Sequence, residues 1–433
     1  MFQKIKNWLF QNQTTGQTIA KNTFWLFVGQ MASRLTRAAI VIYAARFLGV
    51  ASWGAFSYAL GIVTFLTTLS DIGINALITK EATRNPQLKD EYLSTALFTK
   101  LGILAILSAA TFFLLPHLTN MEEAALIMPI LIFVFIFDSL RDLGSALSRA
   151  MEKMQIEAFI QIFTNSAIVV LGFIFLGMEP TSQSLSWAYA IGSALGLISI
   201  FIALRHHLKN ILTHFNKKLV GEILLTAWPF GLMGLLGVVN LNTDIIMLGW
   251  LRSPEEVGYY SAAQKIIYLI YSLPGVLASG IFPALAKLAV NDNEQAKRLL
   301  GKATSLVIAA AVPMAILGIF LARPIIYLLF GTEYLPAVAT FQILMSTLIL
   351  VFPSTVLGNA LFAYDQRKAF IWLVAASTVS NVLLNFALIP YWGIEGAAIA
   401  TLISQFITNF FIWRKVKILS GFRLNFRGLV TTP

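Results

Sequence analysis

The chain contains no cysteine, so disulfides and thiolate metal sites are excluded at once. Histidine is scarce as well. Of four, His206, His207 and His214 share one basic segment with no acid beside them, which reads as a solvated or headgroup-level loop rather than a metal centre, and His117 stands alone at a helix end. No Walker loop and no nucleophile elbow occurs, and no pair of carboxylates sits in a segment polar enough for a soluble active site, so nothing supports ATP hydrolysis. Charge is thin: 12% of the 433 residues are charged and 58% are hydrophobic, too apolar a balance for a water-facing globule. Long polar connections are missing too. The longest, about 80–92 and 205–221, leave no room for an extramembrane domain.

What is present is apolar run after apolar run of the roughly 17 to 25 residues that cross a bilayer as a helix. The pattern predicts an all-α polytopic membrane protein with about 12 transmembrane helices, at 22–48, 54–79, 93–116, 122–148, 156–177, 184–205, 222–250, 257–285, 300–322, 334–363, 369–389 and 394–414. The net charge of +11 is no nucleic-acid signal here, because the basic residues gather in alternate connections. Lys4 to Lys21, Lys80 to Lys89, Arg141 to Lys153, Arg205 to Lys218, Lys287 to Lys302, Arg367 with Lys368, and Arg414 to Arg427 together hold 24 of the 31. By the positive-inside rule that side is cytoplasmic, and an even number of spans leaves both termini there. Residues 1–21 lack the apolar core of a signal peptide. Phe2, Ile5, Trp8 and Leu9 recur instead at helical spacing, which fits a short interfacial helix, a partly disordered tail being the alternative.

The chain also repeats itself. FLGVASWGAFSYA (47–59) returns as MLGWLRSPEEVGYYSAA (247–263), aligning Leu48 and Gly49 with Leu248 and Gly249. After a four-residue insertion, Gly54, Phe56, Ser57 and Ala59 align with Gly258, Tyr260, Ser261 and Ala263. LGSAL (143–147) returns as LGNAL (357–361), and AFI at 158–160 as AFI at 369–371, a period of 200 to 214 residues or six spans. Six is even, so two six-helix bundles enter the membrane the same way round, related by a pseudo-two-fold axis along its normal, with a central cavity expected. The expected plan is a cytoplasmic segment 1–21, a first bundle 22–205, a linker 206–221, a second bundle 222–414 and a cytoplasmic tail 415–433.

The intramembrane charges do not follow the repeat. Arg34 and Arg37 align with Gly234 and Gly237, Asp71 with Gly275, and Lys265 with Gly61, and an asymmetric charge set fits an asymmetric ligand better than a symmetric scaffold. Each arginine near the bilayer centre costs roughly 2.5 to 3.5 kcal/mol on insertion scales, so the pair must face protein, water or an anion. Depth at about 1.5 Å per residue sorts the others. Asp71 and Lys100 lie roughly 10 to 12 Å from the cytoplasmic ends of the second and third spans, and Asp244 and Lys265 roughly 9 to 12 Å from the opposite face, so each couple can pair. Asp138, Arg141 and Asp142 can satisfy one another along the fourth span. No acid remains at the depth of Arg34 and Arg37. With Gln30 they form a polar stripe at i, i+4 and i+7, an anion site whose guanidinium forks match phosphate oxygens. The expected substrate ligands are Gln30, Arg34 and Arg37, with Lys265 and Lys100 as further cations; Asp71 and Asp244 are ion-pair or coupling-ion carboxylates. Pro274, Pro353 and Gly231 are expected bend points, close packing being the alternative for Gly231 and its neighbours Gly234 and Gly237. No metal or cofactor is expected.

The segment from Asn22 to Asn85, with its FLG…GAFSYA turn and DIGI…EATRN close, resembles the opening of bacterial polysaccharide flippases, members of the multidrug/oligosaccharidyl-lipid/polysaccharide exporter superfamily. The likeness continues through SRAMEKMQIEAF (148–159) and LGNALFAYDQRKAF (357–370), over nearly the whole chain. It implies two bundles in a V, alternating access, and a cationic cavity for the pyrophosphate of an undecaprenyl-pyrophosphate-linked oligosaccharide. Relatives that flip peptidoglycan precursor carry cavity arginines on helices 1, 2 and 8; here Arg34, Arg37 and Lys265 stand on the first and eighth, but Asp71 on the second. The extra helix pair that forms a lipid-tail groove in those relatives is missing from a 12-helix chain.

The resemblance thus implies a non-enzymatic flippase of the bacterial inner membrane, moving polyprenyl-linked O-antigen, capsule or exopolysaccharide units and driven by membrane potential or ion antiport. Membrane lipid, a polysaccharide polymerase and a chain-length regulator are expected partners; nucleic acid is not. The alternative, a cation-coupled multidrug exporter of the same superfamily, predicts acids controlling the cavity, whereas Arg34, Arg37, Lys100 and Lys265 outnumber Asp71 and Asp244. A membrane polymerase or glycosyltransferase would need a sizeable loop that this chain lacks.

Overall fold

The computed structural model describes residues 11, 15–208 and 211–424. The expected interfacial helix at Phe2 to Leu9, Lys209 and the tail beyond Leu424 lie outside the described residues. Among these, the regular elements are all helical: α1 (Thr15–Asp71), α2 (Ile74–Arg84), α3 (Lys89–Leu118), α4 (Glu122–Ala150), α5 (Met154–Met178), α6 (Ser182–Leu204), α7 (Lys217–Leu251), α8 (Pro254–Tyr271), α9 (Leu273–Asn291), α10 (Asn293–Phe320), α11 (Ala322–Phe330), α12 (Ala337–Ser346), α13 (Leu348–Ala363) and α14 (Arg367–Ser420), with two single 3-10 turns. Among the described residues, ten stretches are long and apolar enough to cross a membrane. Two of them join two helices across a kink at a glycine, α1 at Gly49 (φ 74°, ψ 172°) and α14 at Gly393 (φ 52°, ψ −129°), so the ten divide into the twelve crossings expected. The chain is an all-α, multi-pass membrane protein.

Short polar caps explain why the turns between crossings need so few residues. Thr181 Oγ1 accepts from Ser184 N at 3.2 Å, and Asp292 Oδ1 from Gln295 N at 2.9 Å. Ser253 caps α8 just ahead of Pro254, whose fixed φ suits a first helical position.

The chain forms two compact units. One gathers Ala55–Val238 with the chain up to Leu48; the other gathers Gly49–Gly54 with the chain from Val239 on. The division thus falls inside α7 rather than in the linker 206–221, and local contacts explain it. Tyr92 OH of α3 donates to Glu222 Oε1 at 2.8 Å, Asn216 N donates to Thr95 Oγ1 at 3.1 Å, and Ile223 and Ala227 enter the buried cluster of Leu77, Ile78, Leu93, Leu147 and Leu204. The start of α7 is therefore core to the first unit.

In that unit the second crossing is interrupted. α1 ends at Asp71, Ile72 takes φ 42° and Gly73 φ 82°, and α2 begins at Ile74. The break lies backbone to backbone on α7: a methyl added to Gly73 would sit 2.1 Å from the Ala227 carbonyl oxygen, and one on Gly231 would sit 2.4 Å from the Ile72 carbonyl carbon. Gly231 is a close-packing glycine in this structure. In the second unit the eighth crossing passes from α8 to α9 through Ser272, which keeps helical angles (φ −75°, ψ −21°), with Pro274 in the first turn of α9, while Pro353 lies within α13. The repeat is visible there as a contact, since the aligned glycines mark where 49–54 meets the start of α8. A methyl on Gly54 would lie 1.8 Å from the Pro254 carbonyl oxygen, and one on Gly258 2.2 Å from that of Val50.

Candidate functional site

The polar stripe of α1 belongs to the first unit. Gln30 and Arg34 are exposed and Arg37 is half-buried. Among the described residues no carboxylate lies within ion-pair distance of either arginine. Arg37 instead sets its guanidinium carbon 5.4 Å from the centre of the Tyr189 ring, and its Nε is buried without a hydrogen-bond partner. Tyr189 comes from α6, is buried, and meets Phe56 edge-on with centroids 5.2 Å apart.

The neighbouring charges are neutralised. Lys100 Nζ donates to Asp71 Oδ1 and to Asn75 Oδ1, each at 3.3 Å, and Asp71 Oδ1 also accepts from Asn75 N at 3.1 Å. The expected Asp71–Lys100 pair is therefore present, and it caps the first turn of α2 across the helix break. Lys100 is wholly buried, so in this conformation it has no face open to a ligand. Arg141 reaches Asp138 at 2.7 Å and Asp142 at 3.3 Å. Arg149 of α4 pairs with Glu157 of α5 at 3.4 Å, a link that the sequence pattern does not signal.

In the second unit Asp244 is 2% exposed and is surrounded by neutral donors. Its Oδ1 accepts from Asn385 Nδ2 at 2.7 Å and Asn381 Nδ2 at 3.3 Å, and its Oδ2 from Thr401 Oγ1 at 2.7 Å and from the Tyr260 hydroxyl. The expected partner Lys265 is not among these described contacts. Helix geometry gives the reason. Tyr260 and Gln264, at i and i+4, point α8 toward α7, where Gln264 Nε2 donates to the Leu241 carbonyl at 3.3 Å; Lys265, one residue on, is turned by about 100°. Buried oxygens without hydrogen-bond partners, Asn385 Oδ1 and Gln264 Oε1, belong to this side of the unit. Among the described residues no cluster of three or more histidine or acidic side chains could hold a metal ion.

Sequence reasoning missed Tyr189, Tyr260, Asn381, Asn385 and Thr401. Only the asparagines left a signal: two carboxamides at i, i+4 in an apolar crossing, NVLLN, imply a buried polar partner.

Comparison with known proteins places this geometry. Residues 19–289, more than half of the chain, match the family model described as polysaccharide biosynthesis protein, and residues 229–388 match the MatE model. The capsular polysaccharide biosynthesis protein CapF of Staphylococcus aureus is 22% identical over 395 residues, covering 90% of this chain and 97% of that protein. A putative O-antigen transporter of Shigella flexneri is 22% identical over 402 residues, 88% of this chain and 94% of the relative. The solved structure of lipid II flippase MurJ in an inward closed conformation is similar in fold, with a TM-score of 0.79 at 19% identity over 94% of this chain and 89% of that one. With twelve crossings, an internal repeat and a family match spanning most of its length, the chain belongs to the polysaccharide biosynthesis protein family.

Proposed function

We propose that this protein is a flippase that carries polyprenyl-pyrophosphate-linked oligosaccharide repeat units across the bacterial inner membrane by alternating access, with both termini in the cytoplasm. One observation carries the reading. Lys100 and Arg141 in the first unit face acids, whereas Arg34 and Arg37 have no carboxylate within ion-pair distance among the described residues. Two uncompensated forks at membrane depth suit a pyrophosphate. Relatives of similar length named for capsule biosynthesis and O-antigen transport support the same cargo. Gln30 extends the headgroup site along α1, and Pro274 and Pro353 absorb the bending. A polysaccharide polymerase and a chain-length regulator take over the delivered unit; the chain itself catalyses no bond change.

The energy source is membrane potential, worth about 2.3 kcal/mol per charge per 100 mV, together with a proton or small monovalent cation at Asp244. A buried carboxylate held by four neutral donors changes its balance when a proton or cation arrives, because its charge is then partly or wholly neutralised. The MatE match covers Asp244, Tyr260, Asn381 and Asn385 and favours a second reading, a cation-coupled multidrug exporter. The deciding experiment measures surface polysaccharide and dye susceptibility in a deletion strain carrying Arg34→Ala with Arg37→Ala at matched protein levels. The flippase reading requires surface glycan to be lost and dye susceptibility to stay unchanged. Normal glycan refutes it, and dye hypersensitivity of the deletion strain supports the exporter.

A further inference from the structure

Arg37 is held in place by a ring, and the choice of partner has chemical consequences. A carboxylate would fix a guanidinium through paired hydrogen bonds, as Asp138 and Asp142 fix Arg141, but it would cancel the charge and occupy the donors a phosphate needs. An aromatic face attracts the cation through its quadrupole while bringing no formal charge and no carboxylate acceptor. We infer that Tyr189 is a positioning residue for the anion site, holding Arg37 in place while leaving its charge and its outer donors free for a phosphate. The inference rests on Arg37 being a ligand of the pyrophosphate.

Three features fit that role. Tyr189 is 2% exposed and braced by the edge of Phe56, so its ring is a fixed support rather than a mobile side chain. Arg37 buries its Nε without a hydrogen-bond partner, which turns the stem of the fork into protein and leaves its two terminal nitrogens as the part able to reach a ligand. Arg34, one turn earlier on α1, is exposed, so the pair consists of one anchored and one free guanidinium. Anchoring removes rotamer freedom before the ligand arrives, so less is lost on binding.

The ring and its hydroxyl make separable predictions. Full-length protein in lipid nanodiscs would be titrated with undecaprenyl pyrophosphate as wild type, Tyr189→Phe, Tyr189→Leu, Arg37→Ala, and Tyr189→Leu with Arg37→Ala. Phenylalanine keeps the ring and should bind within two-fold of wild type, whereas leucine should weaken binding about ten-fold. In the Arg37→Ala background Tyr189→Leu should have no further effect, because the ring acts only through that arginine. A merely structural tyrosine would instead give the same loss in both backgrounds, and that result overturns the inference. So does wild-type binding by Tyr189→Leu, or a loss in Tyr189→Phe as large as in Tyr189→Leu. Should Tyr189→Leu not yield monodisperse protein, Tyr189→Met fills the same space and takes its place in the cycle. If Arg37→Ala itself binds normally, the phosphate-ligand reading fails and the inference with it, an outcome distinct from a loss in Arg37→Ala unaccompanied by any effect of Tyr189.

Discussion

Replacing Lys100 by methionine would leave Asp71 and Asn75 without the donor they share. Methionine has nearly the length of the lysine stem, so the packing stays and the change is electrostatic. Removing one partner of a buried pair costs about 3 to 5 kcal/mol. Asp71 retains 26% side-chain exposure and one bond from Asn75 N, so water and the helix cap recover part of that, and about 2 to 3 kcal/mol is the expected loss. The double variant with Asp71→Asn removes the orphaned charge and should regain most of the stability. Lys297→Met is the control, since its partner Glu294 is 70% exposed and an exposed pair contributes under about 1 kcal/mol. Thermal unfolding in detergent, followed by size-exclusion chromatography, reads all three. The reasoning is refuted if Lys100→Met is as harmless as Lys297→Met, or if the double variant is as damaged as the single.

Asp244→Asn turns one acceptor oxygen into a donor facing two buried donors, each unmade bond costing about 1 to 3 kcal/mol, so protein abundance should fall. Adding Asn385→Asp returns a carboxylate to the same cluster and should recover abundance; a double variant scarcer than the single would show that the site needs its charge on α7. Gly231→Ala should destabilise by about 1 to 3 kcal/mol, because its methyl meets the Ile72 backbone. Gly237→Ala, with nothing within 4 Å, should instead stabilise by up to about 1 kcal/mol, and melting temperatures of the two variants check the contrast.

Helix count was legible because bilayer thickness leaves so little freedom: an apolar run of the right length has one use, and the glycines at 49 and 393 fall where neighbouring runs meet. The Asp71–Lys100 pair was legible too, because helical rise turns sequence distance into depth. The same arithmetic failed for Asp244 and Lys265. Depth alone says that two residues share a level, not that they share a face, and the rotation of α8 presents Tyr260 to Asp244 instead. Neutral partners such as Tyr189 and Thr401 were invisible for a related reason. A hydroxyl or ring in an apolar crossing costs little by itself, so only the fold reveals what it touches. The break at Ile72 left a trace in the DIGI motif, but a lone glycine in a long helix usually packs rather than interrupts.

The two irregularities carry the comparison one step further. The second and eighth crossings correspond in the repeat; the second is broken after Asp71 by left-handed residues, whereas the eighth passes from α8 to α9 through Ser272 with helical angles (φ −75°, ψ −21°). Interrupted segments of repeated halves are where transporters expose backbone to solutes. The two sites are made differently, though. The first uses a left-handed Gly73, a strained Ile72 and an ionic clasp to Lys100; the second uses Pro274 in the first turn of α9, with the Tyr271 hydroxyl bonded to Thr347. Duplication accounts for irregularities about one turn apart: with Asp71 aligned to Gly275, Ser272 falls opposite Thr68. It does not account for the chemistry, which differs between the halves just as the charges do. An ion-paired clasp such as Lys100–Asp71 responds to charge brought near it, whereas a bend set by proline does not, so the two halves are open to different signals at this level of the membrane.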